Sequence, residues 1–208
     1  MFRVLFLLEV IAMKTKARTL TVCAMMSAVS GILMMLEFSV PFVPFFLKLD
    51  ISELPALITA FAVGPWQGAA VCLVKNLINL PFTTTGGVGE LANFLLGAAF
   101  VLTAGMIYKK HKNKHNAVTG SIFGSIAMGI ISFPVNYFIT YPVYAKLMPI
   151  DSIIALYQKI FGGVNSLAQC LLVFNVPFTI FKGLIVSLIT ILIYKKLSPI
   201  IKGRSDKK

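Results

Sequence analysis

Long apolar stretches separated by short polar or basic segments fill the chain between residues 20 and 194. Because a membrane-spanning helix takes ~20 apolar residues, the stretches predict six spans. They cover residues 20–42, 51–63, 66–80, 88–108, 117–144 and 171–194. Gly64-Pro65 is a typical helix-ending turn between the second and third spans, which are both short. Segment 145–163 is mixed and predicts an extracellular loop with an amphipathic helix over residues 152–161.

The pattern predicts an all-α integral membrane protein, a compact bundle of six transmembrane helices. We expect this membrane domain over residues 13–202 and a basic cytoplasmic tail over residues 203–208. Residues 1–12 are too short to span a membrane. They form either a short amphipathic helix at the interface or an extension that precedes a true start at Met13.

Composition supports a membrane protein over other classes. The chain has 208 residues, of which 58% are apolar and 12% charged, whereas soluble domains average ~45–50% apolar and ~25% charged residues. A soluble enzyme, a disordered tail and a disulfide scaffold are all disfavoured. Motifs for ATP hydrolysis by a phosphate-binding loop (GxxxxGK[ST]), for zinc proteases (HExxH) and for serine hydrolases (GxSxG) do not occur in the sequence.

The net charge of +12 reflects topology rather than a nucleic-acid partner. Most of the 19 basic residues fall in three groups beside apolar stretches, at residues 14–18, 109–114 and 195–208. Loops rich in Lys and Arg stay on the cytoplasmic side. Six crossings place all three groups on that side, so both termini are expected to be cytoplasmic. Contact with anionic membrane lipid is compatible with this arrangement.

Polar residues placed within the apolar stretches are the informative ones. We single out Lys75, Asn76, Asn79, Glu90, Asn93, Asn136, Asn175, Thr179 and Lys182. A charge at the bilayer centre costs roughly 2.5–3.5 kcal/mol on insertion scales and normally faces the bundle interior. A purely structural interpretation pairs Lys75 with Glu90 and uses the asparagines for bonds between helices.

The number of these polar residues favours a ligand pocket that opens to the outside. Glu90, Asn136 and Thr179 lie above the middle of their spans, and Lys182 lies deepest. Thr179 and Lys182 share one helix face with Asn175. Apolar walls with a few convergent polar groups are typical of small-molecule sites. An apolar lid is predicted from the first loop, at Phe45, Phe46 and Leu47.

The first span carries small residues at a spacing that suits contact between helices. Ala24 and Ala28 are four positions apart, and Gly31 follows. Such a strip lets another helix backbone approach closely, within the bundle or on a separate membrane protein. Its position near the basic residues 14–18 places it toward the cytoplasmic side.

Taken together, these features resemble the substrate-binding S components of energy-coupling factor (ECF) vitamin transporters, and in particular the riboflavin-specific members. The stretches that carry the resemblance are 49–55 (LDISELP), 74–77 (VKNL), 84–94 (TTGGVGELANF), 136–138 (NYF), 174–178 (FNVPF) and 182–183 (KG). The third of these is the most specific.

The resemblance implies a six-helix bundle that binds riboflavin in an outward-facing pocket. Asn136, Thr179 and Lys182 would bond the flavin ring and its ribityl chain, while Phe46 and Lys48 would close over the ligand. Riboflavin would be the transported cargo, and no cofactor, metal or reaction is expected in the chain.

The resemblance also implies partners. The family pairs with a transmembrane coupling protein and two cytoplasmic ATPases, and Ala24 and Ala28 correspond to its contact with the coupling protein. Two alternatives stay open from the residues. One is another vitamin as ligand, such as thiamine or biotin, and the other is an autonomous secondary carrier with Lys75 and Glu90 as a proton relay.

Overall fold

Helices make up most of the chain. The computed structural model describes residues 2–41, 43–44, 47–83, 85–146 and 148–202, and it describes side chains from residue 16 to residue 193 within those ranges. The helices are α1 (Phe2–Met35), α2 (Glu53–Ala62), α3 (Pro65–Asn79), α4 (Val88–Lys110), α5 (Lys114–Val135), α6 (Tyr141–Tyr144), α7 (Ile150–Gln158), α8 (Leu167–Cys170) and α9 (Val176–Lys202). A short 3-10 turn, Leu80–Phe82, follows α3.

Four helical segments are long and apolar enough to cross a membrane within the described part of the chain: Lys16–Met35, Val88–Lys110, Lys114–Tyr144 and Leu167–Ile193. They match the first, fourth, fifth and sixth predicted spans. The second and third predicted spans form α2 and α3, of 10 and 15 residues. At ~1.5 Å per residue, α2 is too short to cross a bilayer ~30 Å thick by itself.

The first predicted span is too long at its outer end. Helix α1 ends at Met35, and the chain then forms strand β1 (Phe38–Ser39), which pairs antiparallel with β2 (Lys48–Leu49). A short apolar run does not distinguish helix from strand, and Pro41 disfavours helical geometry at the residue before it. Helix α1 is continuous from Phe2 to Met35, and the status of residues 1–12 stays a prediction.

Helix α2 lies at the centre of the bundle. Every residue from Glu53 to Phe61 is buried, and α2 packs against α1, α3, α4 and α9. Its apolar side chains join the largest core cluster, together with Val71, Phe100 and Val186. A helix that is buried on all sides needs no polar face, which fits a sequence whose only polar residues are Glu53 and Thr59.

Close contact between α4 and α5 depends on glycines of α5. A Cβ atom built at Gly124 would lie 2.7 Å from the carbonyl oxygen of Phe100, and one built at Gly120 would lie 2.7 Å from that of Ala104. A Cβ atom built at Gly183 of α9 would lie 2.7 Å from the side-chain oxygen of Ser125 in α5. These contacts bring the helix backbones together as small residues do between membrane helices.

Two π-helical segments interrupt the long helices beside polar residues. One covers Asn136–Thr140 after α5, and the other covers Leu171–Asn175 before α9. Segments of this kind are rare and frequently lie at functional sites. Here the first begins at Asn136 and the second ends at Asn175, both of which are predicted site residues.

Gly124→Ala is expected to lower the stability of the protein by about 1–3 kcal/mol, because the added methyl group overpacks the contact with α4. Thermal unfolding in detergent measures the effect. Gly162→Ala is the control, since nothing lies within 4 Å of a Cβ atom there. Equal unfolding temperatures for the two variants would contradict the close packing described for α5.

Candidate functional site

A cavity of about 690 Å³ opens between the end of α1, the first loop, α3, α4, the π-helical segment after α5, and α9. Its lining includes three carboxylates, two ammonium groups, three asparagines, three threonine hydroxyls and the phenol of Tyr144. The charged and polar residues of its lining include Glu37, Lys48, Asp50, Thr83, Thr85, Glu90, Asn93, Asn136 and Lys182. The volume is within the range of small-molecule sites.

A second cavity of about 150 Å³ shares part of its lining with the first. Four residues line both cavities: Lys48, Asn93, Asn136 and Lys182. The apolar walls of the smaller cavity come from Leu47, Leu96, Met128 and Phe178. Asn175 and Thr179 complete its polar lining. The two cavities thus form one site that combines polar groups with apolar walls.

Every predicted substrate-binding residue that the structure describes lines this site. Leu47, Asn175 and Thr179 line the smaller cavity, Glu90 lines the larger one, and the four shared residues line both. Phe45 and Phe46, predicted as part of the lid, lie outside the described residues. The structure therefore brings the predicted residues together, and their contact with a ligand stays a prediction.

The predicted pairing of Lys75 with Glu90 is wrong. Lys75 Nζ lies 2.8 Å from Glu53 Oε1 and donates to Ser52 Oγ. Lys182 Nζ lies 2.8 Å from Asp50 Oδ2 and 3.2 Å from Glu53 Oε2. All four charged groups are buried. A proton relay between Lys75 and Glu90, as an autonomous carrier would need, has no support in this geometry.

The charge state of Asp50 follows from this cluster. Burial raises the pKa of the Asp50 carboxyl, but the ammonium groups of Lys182 and Lys75 outweigh burial and hold its pKa below the usual value. A lowered pKa stabilises the fold at pH above the unfolded value of ~3.9, and this contribution is lost as the pH falls below it. Asp50 is therefore ionised throughout the neutral range.

Glu90 has neutral partners in place of Lys75. Thr83 Oγ1 donates to Glu90 Oε2 over 2.8 Å, and Thr85 Oγ1 lies 3.3 Å from the same oxygen. Glu90 is in the first turn of α4, where the helix dipole stabilises a negative charge. Gly87 precedes the helix with φ of 87°, a left-handed conformation that favours glycine and lets the chain enter α4.

Two asparagine oxygens at the site have no hydrogen-bond donor among the described residues. Asn93 Oδ1 is buried without a partner, and Asn136 uses its Nδ2 to donate to the Ser132 carbonyl over 2.8 Å, which leaves its Oδ1 open. A buried polar atom without a partner costs ~1–3 kcal/mol. A ligand that donates N–H or O–H groups removes this cost at Asn93.

Asn175 is part of a buried polar cluster behind the smaller cavity. Tyr157 donates to Asn175 Oδ1 over 2.7 Å, and Asn175 Nδ2 donates to Tyr141 Oη over 3.2 Å. The two tyrosine hydroxyls also bond each other. Both the oxygen and the nitrogen of the Asn175 amide therefore have protein partners. The main role of Asn175 is to hold α7 against the π-helical segment Leu171–Asn175, and its amide has few groups left for a ligand.

Ala24 and Ala28 lie on the exposed face of α1. The opposite face packs into the bundle, where Ser30 donates to the Ser52 carbonyl and Asn79 Nδ2 donates to the Gly31 carbonyl over 3.3 Å. Ala24 and Ala28 are therefore available at the outer surface of the bundle, whereas Gly31 is buried and packs inside it.

Sequence reasoning missed the acidic members of the buried cluster. Asp50 and Glu53 belong to a stretch that carried the family resemblance, yet neither was given a role. A signal was present, since Asp and Glu total 7 in the chain and two lysines within apolar spans require anionic partners. Thr83, Thr85 and the two buried tyrosines gave no comparable signal, because hydroxyl groups are common in helices and turns.

Comparison with protein families agrees with this architecture. A family model for the substrate-specific component of ECF transporters matches residues 18–194. The chain belongs to this family, whose members are transporter components and not enzymes. With its long apolar helices, it is a multi-pass protein of the bacterial plasma membrane. The resemblance inferred from the sequence is confirmed.

Three similar proteins are named as riboflavin transporters. RibU of Staphylococcus aureus (strain TCH60) is 36% identical over 190 residues, which cover 91% of this chain and 95% of the relative. RibU of Streptococcus thermophilus is 33% identical, with 90% and 86% covered. FmnP of Bacillus subtilis (strain 168) is 31% identical, with 88% and 94% covered.

A solved structure has a similar fold. It is described as the S component of a bacterial ECF transporter and superposes with a TM-score of 0.72 at 35% sequence identity. The match covers 90% of this chain and 99% of that one.

Lys75→Met is expected to destabilise the protein by about 3–5 kcal/mol, because it leaves Glu53 with less compensation in a buried site. Lys48→Met is the matched control. Its partner Glu37 is 38% exposed, so the loss should stay within about 1 kcal/mol. Unfolding temperatures in detergent compare the two. If the control is as damaging as Lys75→Met, the buried cluster does not have the structural importance described above.

Proposed function

We propose that this chain is the riboflavin-binding S component of an ECF transporter, which captures riboflavin at the outer face of the membrane. The observation that carries the proposal is the two-part site, in which every described member of the predicted set lies. The names of the three relatives above support the choice of riboflavin over thiamine or biotin.

The chemistry of riboflavin fits the two cavities. The vitamin is neutral and combines a flat ring, whose pyrimidine edge has two carbonyls and an imide N–H, with a polyol chain. The methyl-bearing edge of the ring matches the apolar walls of Leu96, Met128 and Phe178. The polyol matches the hydroxyl and carboxylate groups of the larger cavity, where each hydroxyl can donate and accept.

Complementary bonding groups stand at the junction of the two cavities. Asn93 Oδ1 and Asn136 Oδ1 accept, as an imide N–H or a ribityl hydroxyl requires. Lys182 has three ammonium protons; it donates one to Asp50 Oδ2 over 2.8 Å, and its 3.2 Å contact with Glu53 Oε2 is an ion pair. A proton is therefore left for a ring carbonyl. We assign these three residues to the flavin, with Thr179 beside them and Lys48 at the rim.

For the topology we propose six crossings with both termini in the cytoplasm. One cavity is lined by Gly64 and Trp66 of the α2–α3 turn together with Lys109 and Lys112. Another joins Lys16 of α1 to the same tryptophan. The basic start of α1, the α2–α3 turn and the basic α4–α5 loop therefore lie at one end of the bundle, as an alternating up-and-down path requires.

Uptake by this chain requires partners in our proposal. The transmembrane coupling protein would dock on the exposed strip at Ala24 and Ala28, and two cytoplasmic ATPases would supply the energy. The strip supports this assignment because its small side chains are exposed on α1 and stand toward the basic, cytoplasmic end.

Asn136→Ala is expected to weaken riboflavin binding about five- to tenfold, since a hydrogen bond to a buried ligand contributes about 1–1.5 kcal/mol. Quenching of flavin fluorescence by purified protein measures the affinity, and competition with thiamine and biotin tests the ligand class. Asn165→Ala, an exposed position outside both cavities, is the control. Binding of thiamine or biotin in preference to riboflavin would refute the proposal.

Ala24→Trp combined with Ala28→Trp should abolish riboflavin uptake by cells while leaving riboflavin binding by the purified chain largely intact. The bulky side chains block approach of another helix without disturbing the inner face of α1. Ile130→Trp, at an exposed position of α5, should permit uptake. Loss of binding in the double variant would show that these alanines serve the bundle itself.

A further inference from the structure

The charges that face the larger cavity are unequally paired. Glu37 is paired with Lys48, and Asp50 is paired with Lys182. The remaining carboxylate, Glu90, has an ion-pair partner nowhere among the described residues; its Oε2 accepts from two threonine hydroxyls. The lining of the cavity thus has an excess of one negative charge, located at Glu90.

Glu90 stands at the outer part of the site. It is in the first turn of α4, and Leu96, which lines the smaller cavity, follows six residues later on the same helix. At ~1.5 Å per residue this separates the two positions by about 9 Å along the helix axis. A flavin with its ring edge among the apolar residues of the smaller cavity therefore has its polyol chain near Glu90.

The start of α4 would otherwise be suited to a phosphate. Helix N-termini attract anions through their free N–H groups and dipole. Here the Gly87 and Gly89 amides already donate to threonine hydroxyls, over 3.2 and 3.1 Å. Those hydroxyls in turn face Glu90, whose carboxylate occupies the position next to the helix end. The chain thus fills its own anion site with a fixed negative charge.

We propose that Glu90 is a specificity-determining residue, which selects a flavin with an uncharged polyol chain and rejects one whose chain ends in a phosphate. A hydroxyl of the polyol donates a hydrogen bond to Glu90 Oε1, which accepts no hydrogen bond from any described residue. A phosphate monoester has a charge of about −1.5 to −2 at neutral pH, has no comparable donor to offer and is repelled. This inference rests on the proposed riboflavin function and names the selectivity of that site.

The repulsion is large enough to measure. For unit charges about 7 Å apart at the effective dielectric constant of ~20 that suits protein sites, Coulomb's law corresponds to more than a tenfold change in affinity. We therefore expect Glu90→Gln to lower the ratio of the dissociation constants of flavin mononucleotide and riboflavin by at least about tenfold. The amide keeps the shape of the side chain and removes its charge.

The experiment titrates purified full-length protein with riboflavin and with flavin mononucleotide, for the native chain, Glu90→Gln and Asp151→Asn. Asp151 lies exposed on α7, outside both cavities, so its variant has the same change in net charge at a distance. Higher salt should improve binding of the phosphorylated flavin to the native chain more than to Glu90→Gln, because salt screens the repulsion.

The possible outcomes distinguish a failure of this inference from a failure of the proposed riboflavin function. A lower ratio in Glu90→Gln, with Asp151→Asn unchanged, supports the inference. An unchanged ratio, or an equal loss of affinity for both flavins, overturns it while the riboflavin function stands. A native chain that binds neither flavin overturns the proposed function and this inference with it. An equal drop in the ratio of dissociation constants for Asp151→Asn also overturns the inference, because the change would then depend on the net charge of the protein and not on the position of Glu90.

Discussion

A neutral cluster of two carboxylates and two ammonium groups holds the centre of the bundle together. Glu53 of α2 faces both Lys75 of α3 and Lys182 of α9, and Asp50 from the loop before α2 completes it. Removing such charges from water costs several kcal/mol per ion, and only a complete set compensates for it. The cluster therefore fixes how α2, α3 and α9 meet, and with them the back wall of the ligand site.

This arrangement couples ligand binding to the stability of the fold. Lys182 belongs to the cluster and also lines both cavities, so a substitution there changes two things at once. Glu90 and Asn136, by contrast, face the site from the ends of helical segments and engage only nearby groups. Affinity changes at these two positions report on the ligand, whereas changes at Lys182 combine ligand contact with the stability of the fold.

The sequence predicts the fold well where length and hydropathy decide it. The span expected over residues 88–108 is observed as Val88–Lys110, because a continuous run of ~20 apolar residues in a membrane satisfies its backbone hydrogen bonds within a single helix. The prediction from hydropathy is wrong at the end of α1, where a short apolar run forms strand β1 and not helix. It identifies the polar residues of the site because polar groups in apolar stretches are costly. It does not identify the partners of Lys75 and Glu90, since pairing depends on how helices far apart in the chain meet.

The π-helical segments also escape prediction, and they have a consequence for how the long helices are phased. Each such segment adds one residue to a turn, so the side chains on either side are rotated relative to a continuous α-helix by about 100°. Asn136 and Thr140 lie within one segment and both line the larger cavity. Deleting a single residue from Asn136–Thr140 would restore a regular helix and turn its outer end away from the cavity. The site is thus set by an insertion in the backbone as much as by the identity of its side chains.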